Sequence, residues 1–177
     1  MTASSDKAAS AARLELANRF FFRLYQCANM LHKTGTRAVQ AEGLTTQQWA
    51  VMGALSRPSA EDGVTVTELS RYLMVSRQNL SGVLKRMEAA GHIRISPDAR
   101  DRRARIVQIT HFGREIWLSR AQPKIEAYYE QALKEFSISD MAHALHYMIK
   151  LLDNMKQIDH GDDEDDVNWL LEMGPGA

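Results

Sequence analysis

The sequence predicts a mainly α-helical chain carrying one small β-hairpin. Three observations predict it. Apolar residues recur at three- and four-residue steps over a long stretch near each end of the chain. Two short helical segments separated by a tight turn sit in the middle, and two β-type runs joined by a charged, turn-rich connection follow them. At 177 residues, 45% hydrophobic and 25% charged, the chain can bury a core and lies close to globular averages. No window approaches the run of about 18 apolar residues that a membrane span needs. The first ten residues are polar and small, unlike a secretory signal. One cysteine, Cys27, allows no intramolecular disulfide. A cytoplasmic protein without a membrane partner is expected.

In chain order, residues 1–12 read as a disordered lead. From Arg13 to about Gln40, Leu14, Ala17, Phe21, Leu24, Ala28, Leu31 and Ala38 mark one face of a long helix, ended by Glu42-Gly43. Thr45 or Thr46 caps a second helix carrying Trp49, Met52 and Leu55, which stops before Arg57-Pro58. Val64, Thr65 and Val66 form a short β-type run, residues 67–73 two helical turns, and Met74-Val75 a turn. Ser76 caps the next helix, which runs to Ala90 and ends at Gly91. Residues 92–96 and 103–110 read as strands. Thr110 caps a long helix with Trp117, Ile125, Tyr128, Ala132 and Phe136, kinked by Pro123, and Ser137 or Ser139 caps a last one with Met141, Leu145, Met148, Leu152 and Met155.

This order is the winged helix-turn-helix plan, with the helix over 76–90 placed to enter a DNA major groove. Leu80, Val83, Leu84 and Met87 form the face that packs inward. Gln78, Ser81, Gly82 and Lys85 fall on the other side, flanked by Arg77, Asn79 and Arg86. Gln and Asn can bond adenine through two hydrogen bonds, Arg and Lys can bond guanine, and Gly82 removes a side chain where backbone must come close. The free N–H groups behind Ser76 favour a phosphate. Arg100 and Arg102 stand on the narrow hairpin loop, suited to a minor groove, with Arg103 beside them. Asp98 or Asp101 is expected to orient a neighbouring arginine. The whole chain is neutral, but over 76–105 eight Lys or Arg stand against three acids, while residues 159–172 hold seven acids and no base. A basic face can thus exist on a neutral chain.

Residues 66–70 and 84–91, the wing Pro97-Asp98-Ala99-Arg100-Asp101-Arg102-Arg103-Ala104-Arg105 and the ending Ile109-Thr110-His111-Phe112-Gly113 resemble the MarR family of bacterial transcription regulators. The resemblance covers about residues 20–155. It implies a homodimer built by intertwined terminal helices, a palindromic operator near the protein's own gene, Arg100 at the wing tip, and Gln78, Asn79, Ser81 and Lys85 facing the groove. The organisation expected is a dimerisation helix over 13–42, a DNA-binding domain over 43–110, dimerisation helices over 111–157 and an acidic tail over 158–177. Repression is the expected sign.

The resemblance also implies release from DNA by a small ligand, often a phenolic or aromatic carboxylate, bound between the dimer region and the winged domain. Arg19 or Arg23 would pair the carboxylate, and Tyr25, His32 and Trp49 would line an aromatic slot. Two other switches are conceivable from the residues: oxidation of Cys27, and zinc at His143 and His146 with His111 or His160 and the tail. Neither has a supporting partner in register, and no metal or cofactor is expected. The acidic tail with Val167, Trp169 and Leu170 reads as a solvated appendage, or as a competitor for the basic face. No phosphate-binding loop, dinucleotide glycine pattern, His-Glu-x-x-His or nucleophile elbow is present, so an enzyme is not expected. A protein-binding use of the winged fold would call for an apolar outer face on the helix over 76–90, which Gln78, Asn79, Lys85 and Arg86 deny.

Overall fold

A computed structural model describes residues 2–99, 101 and 103–159. Helix α1 spans Thr2–Val39 and is followed by a 3₁₀ turn, Gln40–Glu42, and by Gly43 in the left-handed region. It begins eleven residues ahead of the expected start and takes in the segment read as a disordered lead. Ala3, Ala8, Ala9, Ala11 and Ala12 explain this, because alanine has the highest intrinsic helix propensity. Helix α2 spans Thr46–Leu55. Thr45 is its cap, closing a reciprocal box with Gln48. Thr46 instead reaches α1, donating to the His32 carbonyl at 2.9 Å. Gly35 permits that approach, since a Cβ there would lie 3.0 Å from the Thr46 hydroxyl and 3.1 Å from the Trp49 ring.

Strand β1 (Val64–Thr65), helix α3 (Val66–Tyr72), helix α4 (Arg77–Ala89), strand β2 (Ile93–Pro97) and strand β3 (Arg105–Ile109) follow. Thr65 and Glu68 cap α3 reciprocally, and Ser76 caps α4 through the Asn79 N–H. The turn between α3 and α4 puts Met74 at φ +53°, and Gly91 ends α4 at φ +77°. The strands form one antiparallel sheet in the order β1-β3-β2, with Val64 and Ile95 both paired to Val107. Leu80, Val83, Leu84 and Met87 of α4 pack with Val51, Met52 and Leu55 of α2, Leu69, Ile93 and Val107 into a single core.

Helix α5 (His111–Glu115), capped by Thr110, passes through a π-helical stretch, Ile116–Ala121, into α6 (Gln122–Ala132). The irregularity expected at Pro123 therefore lies ahead of it. A proline ring crowds the carbonyl four residues back, and a wider turn before it relieves that contact. Helix α6 ends at Ala132, so Phe136 falls outside it. Val39, Leu44, Ile116, Ala121 and Ile125 form a second core, and Trp117 packs against both. These elements make one compact unit up to Ala132, and a second begins at Leu133. It contains α7, Ile138–Asp159, capped by Ser137 through Asp140. Among the described residues no helix is long and apolar enough to cross a membrane.

Candidate nucleic-acid interface

Helix α4 divides as its sequence period requires. Leu80, Val83, Leu84 and Met87 are buried, whereas Arg77, Gln78, Asn79, Ser81, Gly82, Lys85 and Arg86 are exposed. The side chains of Gln78, Asn79, Lys85 and Arg86 bond to nothing among the described residues, so their donors and acceptors face water. Two hydroxyls of the face are already engaged. Ser76 accepts from the Asn79 N–H at 3.2 Å, and Ser81 donates to the Arg77 carbonyl at 2.7 Å. Ser81 therefore faces outward as an acceptor. A Cβ on Gly82 would meet only the Arg86 guanidinium, at 3.7 Å, so nothing inside the protein requires a glycine there.

The hairpin of β2 and β3 stands beside α4. Its loop is closed by the Asp98 N–H donating to Ala104 at 3.1 Å and the Ala104 N–H to Asp101 at 2.9 Å. The Asp101 carboxylate accepts from the backbone N–H of Arg103 at 2.9 Å. It shapes the turn through the main chain, a local bond that short acidic side chains make readily. Arg103 is exposed. Arg100 and Arg102 lie outside the described residues.

Two residues not singled out in the sequence hold the hairpin in place. Glu88 of α4 accepts from the Ile95 N–H at 2.9 Å, satisfying a donor on the edge strand β2. Gln108, opposite Arg94 in the sheet, accepts from its guanidinium at 2.8 Å and donates to the Asp62 carbonyl at 2.8 Å. Both bonds link positions far apart in the chain, so periodicity carries no sign of them. At the base, Thr110 donates to the Gly91 carbonyl at 2.6 Å and His92 stacks on Phe112 with ring centroids 5.7 Å apart. A Cβ on Gly113 would lie 2.0 Å from the His92 carbonyl oxygen. Only glycine lets α5 lie this close to the start of the wing.

The expected effector residues are not gathered. Arg19 and Arg23 are exposed on α1, and Arg23 donates to Gln26 at 2.9 Å. Tyr25 is 66% exposed, and the His32 side chain is exposed as well. Trp49 packs edge-on against Tyr128 with centroids 6.0 Å apart, and against Tyr129 at 5.7 Å. No hydrogen bond or ring contact joins Trp49 to Arg19, Arg23, Tyr25 or the His32 ring. A helix rises about 1.5 Å per residue, which puts Arg19 roughly 24 Å along α1 from Gly35, the residue Trp49 sits against. The aromatic partners of Trp49 come from α6 instead.

Cys27 is exposed on α1. Among the described residues no group of three His, Cys, Asp or Glu side chains could hold a metal. The His143 Nδ1 lies 3.4 Å from the Ser139 hydroxyl and the His146 ring packs on Tyr147. His160 and the acidic tail lie outside the described residues.

Comparison with known proteins decides the family. The MarR family model matches residues 42–104. A protein of Rhodopseudomonas palustris (strain ATCC BAA-98 / CGA009) named transcriptional activatory protein BadR is 64% identical over 158 residues, covering 89% of this chain and 90% of its own. This chain belongs to the MarR family. The homoprotocatechuate degradative operon repressor of Escherichia coli is 30% identical over 129 residues, covering 71% of this chain and 84% of its own. Among solved structures, the transcriptional repressor CouR bound to a 23-mer DNA duplex aligns with a TM-score of 0.64 at 25% identity, covering 78% of this chain and 95% of that one. As a MarR-family member, the chain is a DNA-binding transcription regulator, and its winged helix-turn-helix is the fold its sequence predicts. The family model ends at residue 104. It thus spans α2, α3, α4 and the wing loop, and leaves all of α1, β3, α5, α6 and α7 outside.

Proposed function

We propose that this chain acts as a homodimer that binds a palindromic operator through α4 and the wing and changes its grip when a small aromatic acid binds. The observation that carries the reading is the outer face of α4, where Gln78, Asn79, Lys85 and Arg86 stand exposed and unbonded beside a basic hairpin. Gln78 and Asn79 read adenine, Arg77, Lys85 and Arg86 reach guanine or phosphate, and Ser76 and Ser81 complete the face. Arg100, Arg102 and Arg103 occupy the minor groove at the wing. The dimer is supported by apolar surface that a lone chain leaves in water. Leu14, Leu16, Phe22 and Tyr25 of α1 are 62–67% exposed, and α7 buries no residue although Leu145, Tyr147 and Met148 are 58–62% exposed. Two such winged units sit about 34 Å apart on a palindrome, one turn of DNA.

An aromatic acid is supported by the name of the Escherichia coli relative, whose operon serves degradation of homoprotocatechuate, itself an aromatic acid. The sign expected from the resemblance was repression, and that relative is a repressor. The relative at 64% identity is named for activation, and the higher identity carries more weight for the sign. We therefore take net activation of its target genes as the output. Gel shifts against the region upstream of its own gene, from 50 to 200 mM salt, should show a steep loss of affinity, because each phosphate contact releases condensed counterions. Salt-independent binding, or none, would remove the DNA-reading assignment. The same shifts repeated across a panel of aromatic acids test the effector. In a deletion strain, a target-gene reporter should fall; a rise makes the chain a repressor.

A further inference from the structure

The turn between α3 and α4 carries apolar side chains that the fold does not use. Among the described residues, Met74 is the one non-glycine residue at positive φ, +53°. The Met74 N–H donates to the Arg71 carbonyl and the Val75 N–H to the Ser70 carbonyl, both at 3.1 Å. This way of ending a helix favours glycine at the left-handed position. A methionine there carries backbone strain that glycine escapes. Neither Met74 nor Val75 belongs to the core beneath α4, and the two are 49% and 40% exposed. Strain kept with no gain in packing is a feature of functional turns.

Residues 74–79 form an unbroken run of exposed positions, so the apolar pair is continuous with Ser76, Arg77, Gln78 and Asn79 at the head of α4. Val75 and Asn79 line one hollow of about 100 Å³, together with Leu73, Leu80 and Val83. A base pair that reaches Asn79 therefore also reaches Val75. In the major groove an A·T pair shows two features. Adenine offers N6 and N7, which an asparagine or glutamine amide bonds, and thymine offers its 5-methyl group, which apolar side chains recognise. We infer that Met74 and Val75 are specificity-determining residues that take thymine methyl groups of the operator, Val75 beside the adenine bonded by Asn79. The thymine methyl is the apolar group that this groove displays, so it matches the exposed pair as phosphate matches Arg77. The inference rests on the operator reading above and deepens it, because amide and phosphate contacts leave that methyl unread.

The test takes the duplex that the full chain protects upstream of its own gene and replaces its thymines one at a time by deoxyuridine, which lacks only the 5-methyl group. At one or two matched positions in each half-site the replacement should weaken binding about fourfold, the weight of one methyl group removed from water. Met74→Gly and Val75→Ala should each shrink that penalty in a double-mutant cycle. The slope of affinity against salt should stay as in the wild type, because neither change touches a phosphate contact. Met74→Gly also relieves the turn and should raise the urea midpoint, so a penalty lost in that variant cannot come from unfolding. A deoxyuridine penalty of the same size in both variants places the methyl contact elsewhere and overturns the inference. So does a wild type indifferent to deoxyuridine at every position; in both cases salt-dependent operator binding leaves the DNA-reading assignment standing. Variants that keep both affinity and penalty yet lower a target-gene reporter make the turn a protein contact, which overturns the inference as well. A chain that binds no duplex removes it together with that assignment.

Discussion

At the residue scale, Gly82 sits in the middle of α4, where glycine weakens a helix by about 1 kcal/mol relative to alanine. Space does not demand it, because an added Cβ would meet only a flexible guanidinium at 3.7 Å. On the proposed DNA-reading role, the glycine makes room for backbone that approaches from outside. Gly82→Ala should therefore raise stability by roughly 0.5–1 kcal/mol in urea melts while weakening operator binding. Unchanged operator affinity would return Gly82 to a mere helix defect. His92 makes the second case. It is 5% exposed, its Nδ1 has no partner among the described residues, and burial holds its pKa below the ordinary value near 6.5. The folded chain thus binds this proton more weakly than the unfolded chain does. Above about pH 6.5 both forms are neutral and His92 leaves stability unaltered. As pH falls below that value, the unfolded chain takes the proton first and stability declines, levelling off only once the folded imidazole also charges. His92→Gln should flatten this decline, read from urea midpoints at pH 7.5 and 5.5; equal losses in the two proteins would sink the assignment.

Between elements, α4 and the wing are tied by Glu88 and by the packing around Gly91, His92 and Gly113. If the Glu88 bond to Ile95 aligns the wing with the groove helix, Glu88→Ala and Arg100→Ala should not add. Once the arginine is gone, losing the clamp should cost little further affinity in a double-mutant cycle. Additive losses would make Glu88 a local strand cap and nothing more. Gly113→Ala tests the base of the wing. A methyl placed 2.0 Å from a carbonyl oxygen forces α5 and β2 apart, with an expected loss of about 2–3 kcal/mol in stability. A small loss would mean the junction yields.

For the whole molecule, α7 has no buried residue among the described ones. Leu145, Met148 and Leu152 repeat at three- and four-residue steps and are 40–59% exposed. In the proposed homodimer these positions would form the core. Met148→Lys should then convert the dimer to monomer in sedimentation equilibrium and lower operator affinity by far more than one contact's worth, because two half-sites can no longer be held at once. A variant still dimeric would place the interface elsewhere.

The legible part of this protein is the part encoded by short-range rules. The period of α4, the Ser76 cap, the Gly91 stop and the two β-type runs are visible in single segments, and the exposed face of α4 followed from the same period. Only α6, some eighty residues later, supplies the Tyr128 and Tyr129 rings that pack on Trp49. Glu88, Gln108 and Gly113 carry no sign of their roles in their own segments, since their partners are brought near by the sheet and by α5. The start of α1 departs from its sequence expectation the other way, because alanine propensity carries the helix through a polar segment that reads as a lead.

By itself, then, the sequence determined that the chain is a helical frame around a winged helix-turn-helix, and which side of α4 is left exposed, because amphipathic period and capping are local. The tertiary structure decided how Gln108 and Gly113 fix the base of the wing and which aromatic rings stand beside Trp49. Those are contacts between residues far apart in the chain, and no local pattern reports them.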